Sequence, residues 1–168
     1  MSHNLVYYGN EILSSVAERV DNIDGEVVSI VNEMFDIMYK EKGIGLAAPQ
    51  INLGQRIIVI DTSDDRKGKI ALVNPEILEF SDILEPYEEG CLSLPGLNAD
   101  VIRPAEILVK GITPNGEEVE IEASGLIARV MQHEIDHLEG ILFIDRIEKY
   151  IKDELRSELK KIKKLNKK

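Results

Sequence analysis

The stretch Met131–Gly140 reads MQHEIDHLEG and carries His-Glu-x-x-His at His133, Glu134 and His137. On a helix, residues four apart share a face. Both imidazoles can then hold one metal ion, with the glutamate beside it as a base. Two histidines leave such a metal needing a third protein ligand and an open position for water. One zinc-protease pattern places a further histidine downstream; Gly140 is in register for it, but Phe143 stands where that histidine belongs. Another uses a glutamate on a later helix, and the spacing of Glu154 and Glu158 allows a zinc protease of that kind. Both glutamates sit in a lysine-rich stretch that reads as solvated helix. The better candidate is upstream: Cys91, the only cysteine, flanked by glycine in EEGCLSLPG. A lone cysteine also suits plain burial as a small apolar residue. A thiolate beside a glycine turn, however, can approach a metal closely, and Cys-His-His leaves the fourth tetrahedral position for water. A metal-stabilised binding module without activity is the remaining class. It would need four protein ligands and no base, so Glu134 speaks against it.

The elements that must position these groups follow from periodicity. A helix is predicted to start at the N-cap Ser124, run through GLIARVMQHEIDHL and stop at Gly140. Leu126, Val130, His133 and His137 form one stripe of it, and Ile127, Met131, Glu134 and Leu138 the adjacent one. Both histidines and the glutamate thus lie on the face that otherwise buries apolar groups, which is costly unless they are paired or bound to metal. Asp24–Lys42 reads as an amphipathic helix with Val27, Val31, Met34, Ile37 and Met38 at helical spacing. GIGLAAPQ reads as a loop, RIIVID as a buried strand, TSDDRKGK as a turn and IALVNPEIL as a returning strand. ILEPYEEGCLSLPG carries turn formers through its second half. AEILVKGITPNGEEVEIEA reads as a hairpin about Pro114-Asn115-Gly116. Residues 147–168 form a C-terminal basic helix with Ile147, Ile151, Leu155, Leu159 and Ile162 on its apolar face. Strands first and packed helices after predict an α+β fold. Short mixed or antiparallel β-sheets would pack around the central histidine-bearing helix, with one helix N-terminal and one C-terminal to them.

The 168 residues fit one domain with a real core, spanning 1–168. Hydrophobic content of 43% and charged content of 30% describe a globular protein. No run approaches the roughly 18–20 apolar residues of a membrane-spanning helix. The start, MSHNLVYYGNEILSS, lacks a basic region followed by an apolar one, so a cytoplasmic location is expected. A net charge of −11 argues against a DNA-binding surface over the body of the protein. The exception is the tail, where Lys160, Lys161, Lys163, Lys164, Lys167 and Lys168 cluster.

Three segments of this chain match in full the three motifs of peptide deformylases, which it resembles over essentially its whole length. They are GIGLAAPQ (Gly43–Gln50), EGCLS (Glu89–Ser93) and HEIDH (His133–His137). The resemblance implies that Cys91, His133 and His137 bind one divalent metal. Ferrous iron would be the working ion, with zinc or nickel also accepted. Glu134 would be the general base and acid. The Gln50 side-chain amide and the Leu92 N–H would face the reacting carbonyl, and Gly45 would keep the wall narrow around the formyl group. Ile44, Glu89 and Leu126 are the candidate substrate-binding residues. The implied substrate is a nascent peptide beginning with N-formylmethionine, hydrolysed to formate and a free N-terminus in a bacterial-type cytoplasm. The lysine-rich tail would dock on the ribosome, or simply complement the helix dipole. Two positions depart from the family pattern. Asn98 holds the place of an arginine that can contact the peptide backbone, and Gly9 stands where proline is frequent.

Overall fold

A computed structural model describes residues 3–166. Helix α1 spans Gly25–Lys40, and the Asp24 carboxylate caps it by accepting from the N–H groups of Glu26 and Val27. Seven strands follow: β1 (Gly45–Ala47), β2 (Ile57–Ile60), β3 (Ile70–Phe80), β4 (Leu84–Cys91), β5 (Leu94–Pro104), β6 (Glu106–Ile112) and β7 (Glu118–Ser124). Helix α2 (Gly125–Leu138) carries the histidines, and α3 (Lys149–Glu154) and α4 (Arg156–Lys163) form the tail. Five strands make one sheet in the order β1-β2-β3-β6-β7, and β4-β5 make a separate pair. All of these pairings are antiparallel. This is the α+β fold expected.

The sheet is covered on both faces, and β2 shows why its sequence is apolar without alternation. Ile58 and Ile60 join Leu72, Val109 and Ala123 against Ala128, Met131, Ile135 and Leu138 of α2. Ile57 and Val59, pointing the other way, meet Val31, Met34 and Met38 of α1. A third apolar cluster ties the β4–β5 pair to the tail through Leu94, Leu97, Val101, Phe143, Leu159 and Ile162. Among the described residues no helix is long and apolar enough to cross a membrane.

Three local expectations are corrected. GIGLAAPQ is not a loop: Gly45–Ala47 pair with β2, and Ala48–Ile51 form a 3₁₀ turn with Pro49 near its start, where no N–H is needed. Its buried Leu46, Ala47, Ala48 and Ile51 make it part of the core. The turn formers around Cys91 likewise lie in strands, because Leu84–Cys91 and Leu94–Pro104 pair as one long hairpin. A two-stranded ribbon tolerates proline since each strand keeps an unpaired edge. The tail stripe divides at Leu155 into two short helices, and only Leu159 and Ile162 of it are fully buried. Lys167 and Lys168 lie outside the described residues.

Candidate functional site

Every residue of α2 from Ala128 to Leu138 is buried, including Arg129, Gln132, His133, Glu134, Asp136 and His137. Groups of this polarity stay inside only with partners. The helix is fixed at its C-terminus by Arg56, which donates to the Ala17 and Leu138 carbonyls and pairs with Glu139. Ser124 holds the extended N-cap conformation, but its side chain makes no capping bond.

The upstream candidate for the third ligand is the one the fold brings in. Ligand atoms of Cys91, His133 and His137 all lie within 4.8 Å of one another, and no other such group occurs among the described residues. Cys91 Sγ is 3.4 Å from His137 Nε2. The β4–β5 turn delivers the sulfur, and two successive turns of α2 deliver the imidazoles. Glu154 and Glu158 are exposed on the tail helices and take no part. Sulfur with two imidazole nitrogens is a donor set suited to zinc or ferrous iron. Beside them, Glu134 Oε1 is buried with no protein partner. The residues therefore fit a divalent metal.

Glu89, expected among the substrate-binding residues, lines the cleft, and its carboxylate is engaged by protein partners. Oε1 accepts from His133 Nδ1 at 2.9 Å. Both oxygens accept from Arg103, at 2.6 and 3.0 Å, and Oε2 also from Arg129 at 2.9 Å. Its carboxylate is thus committed behind the histidine, where it sets the tautomer and leaves Nε2 for the metal. Burial opposes its charge, but the bonds from His133 and Arg103 outweigh that and hold it well below the usual carboxylate range. Arg103 continues to Asp136, which also binds Arg146. Phe143, standing where one protease class has its histidine, stacks on His133 with centroids 6.1 Å apart.

Burial pushes the Glu134 carboxyl up to about 7; His133 and Arg103 pull it down, while Glu89 and Asp136 add to the rise. A group poised there can take and return a proton near neutrality. Burial likewise drives His137 well below the ordinary histidine value, which keeps it a neutral ligand.

Gln50 is 1% exposed. Its Oε1 accepts from the Ala47 N–H at 2.9 Å, which fixes the amide so that Nε2 faces Ser93 Oγ at 3.2 Å and Cys91 Sγ at 3.5 Å. A cleft of about 770 Å³ opens onto this centre. Its lining includes Ile44, Gly45, Gln50, Leu92, Leu126 and Glu134. Asn98 is exposed on the same rim, opposite Gly90. Gly9 has φ +101°, which proline cannot adopt, and it packs against Lys163.

Ser93, Arg103, Arg129 and Asp136 belong to the site as well, beyond the residues expected from the sequence. For Arg103 and Arg129 a signal was present, since an isolated charge inside an apolar strand or helix pattern needs a buried partner.

The family model described as polypeptide deformylase matches residues 2–153. A peptide deformylase of Brachyspira hyodysenteriae is 46% identical over 168 residues, covering 97% of this chain and 90% of its own. One of Picosynechococcus is 48% identical over 149 residues, covering 88% and 80%. The crystal structure of a peptide deformylase from Legionella pneumophila matches with a TM-score of 0.91 at 39% identity, covering 98% of this chain and 97% of that one. The chain belongs to the peptide deformylase family.

Proposed function

We propose that the protein hydrolyses the formyl amide of N-formylmethionine at the start of nascent polypeptides, releasing formate and a free amino terminus. The observation that carries this reading is the Cys91–His133–His137 cluster, its two histidines buried and Glu134 beside it, opening onto a peptide-sized cleft.

Cys91, His133 and His137 would hold a divalent ion, which would supply Lewis acidity toward water and the formyl carbonyl. Glu134 takes a proton from the attacking water as its oxygen bonds to the formyl carbon. The Gln50 amide and the Leu92 N–H donate to the oxyanion that develops, each such donor being worth about 3 kcal/mol. Glu134 then delivers its proton to the methionine nitrogen as the carbon–nitrogen bond breaks. Gly45 leaves space for a formyl group, and Ile44 and Leu126, each 38% exposed beside the cleft, are the proposed walls for the methionine side chain. Ferrous iron is the proposed working ion, with oxygen sensitivity as its consequence.

A cytoplasmic site of action, where nascent chains emerge, goes with this reading. The exposed Lys160, Lys161 and Lys164 support docking of the tail on anionic ribosomal RNA. Co-sedimentation with ribosomes that is lost on deleting residues 160–168 would bear that out; equal sedimentation of both forms would refute it.

Metal content separates this reading from a zinc protease. Cys91→Ala should strip the metal, whereas Glu154→Ala and Glu158→Ala should keep it. Metal retained by Cys91→Ala and lost with either glutamate would reverse the conclusion.

A further inference from the structure

The last turn of the tail reaches the cleft. Leu165 lines it together with Leu5 and Tyr7. The N-terminal segment is laid along the centre by two backbone bonds, Val6 N–H to the Gln50 carbonyl at 2.8 Å and Tyr8 N–H to the Ser93 carbonyl at 3.0 Å. The tail is then clasped to that segment. Asn166 Oδ1 accepts from the Tyr7 N–H at 2.9 Å, and its Nδ2 donates to the Tyr7 and Tyr8 carbonyls, each at 3.0 Å. Lys163 adds a cation–π contact, with Nζ 5.5 Å from the centre of the Tyr8 ring.

Leu165 differs from the apolar residues before it. Leu159 and Ile162 are 6% and 5% exposed in the third cluster, whereas Leu165 is 42% exposed and lines the cleft. The clasp therefore holds an apolar side chain on the lining of the cleft, and no core packing there accounts for it. The turn also lies beyond residue 153, where the match to the family model ends.

We propose that Leu165, with Leu5 and Tyr7, forms an apolar seat for a substrate side chain downstream of the formylmethionine. Leu165 thereby makes the tail a determinant of peptide preference. This rests on the deformylase reading. The occupant is a peptide side chain because the polypeptide beyond the methionine must leave through this cleft, and an apolar wall rewards an apolar group by desolvation.

The test uses the full chain loaded with ferrous iron without oxygen. Formate release is measured from formyl-Met-Ala-Ala-Ala and from the same peptide with leucine at each alanine in turn. Leucine at one position should lower KM about fivefold with little change in kcat, as burial of a half-exposed apolar side chain predicts. Leu165→Ala should bring that leucine-to-alanine ratio of kcat/KM to about one, Asn166→Ala should do the same by opening the clasp, and Leu165→Met should keep the preference. A preference that survives in Leu165→Ala, or no preference in the parent protein, would overturn the proposal while leaving deformylation standing. No formate from any peptide would remove the deformylase reading and this proposal with it.

Discussion

A Cβ built on Gly45 would stand 2.6 Å from Glu134 Oε2 and 2.6 Å from Val130 Cγ1. The strand that carries Gly45 and the helix that carries the proposed base are thus in contact where any side chain would intervene. Gly45→Ala should displace the carboxylate and lower kcat by about 100-fold, the scale of general acid–base catalysis. Its metal content should stay at the parental level, since no ligand is touched. Steady-state kinetics alongside metal analysis checks both; an alanine variant with parental kcat would show that the contact does not hold the base.

Glu89 is the charge that lets two arginines and a histidine be buried together. Glu89→Gln should weaken metal binding about 10- to 100-fold by loosening His133. It should also cost about 3–5 kcal/mol of stability, because Arg103 and Arg129 lose their shared partner. Competition with a chelator and denaturant unfolding measure the two effects separately.

Arg66 holds the cleft wall from behind. Its guanidinium donates to the carbonyls of Gly43 and Asp61 and lies over the Tyr39 ring at 4.7 Å. Arg66→Ala should free the Gly43–Ile44 wall and raise KM by about three- to tenfold, with kcat nearly unchanged, the signature of lost uniform binding. A fall in kcat at constant KM would place its effect on the chemistry instead.

Asp61 gives this wall a pH dependence. Burial disfavours its charge, but hydrogen bonds from Ser63 and from the Tyr39 hydroxyl, with Arg66 nearby, outweigh that and lower its pKa. A depressed carboxyl stabilises the fold fully above its unfolded value near 3.8, and that stability is lost as pH falls through the lower folded value. Unfolding free energy should therefore decline below about pH 4 in the parent protein. The decline should be shallower in Asp61→Asn, and equal slopes would contradict the assignment.

Much of the site was legible because its chemistry is compact in sequence. His133, Glu134 and His137 lie within two turns of one helix, and a metal pair with a base has a period that helix geometry dictates. Cys91 was legible by elimination and by its glycine neighbour, although its hairpin was not. There Gly90, Pro95 and Gly96 suggested turns, and the long register between Leu84 and Pro104 overrode local preference. GIGLAAPQ misled for the related reason that a three-residue strand buried on both sides leaves no periodic signal. The role of Glu89 depends on Arg103 and Arg129, partners 14 and 40 residues away that no local pattern connects. The reach of Leu165 into the cleft depends on a clasp between the two ends of the chain.

The most direct test of the account compares formate release from formyl-Met-Ala-Ser by the parent protein and by Glu134→Ala, both loaded with ferrous iron without oxygen and assayed for bound metal. The parent should release stoichiometric formate and free methionyl peptide. The variant should release formate at least about 100-fold more slowly at equal metal content. Formate released at parental rate by the metal-loaded variant, or none from the metal-loaded parent, would contradict the proposed mechanism.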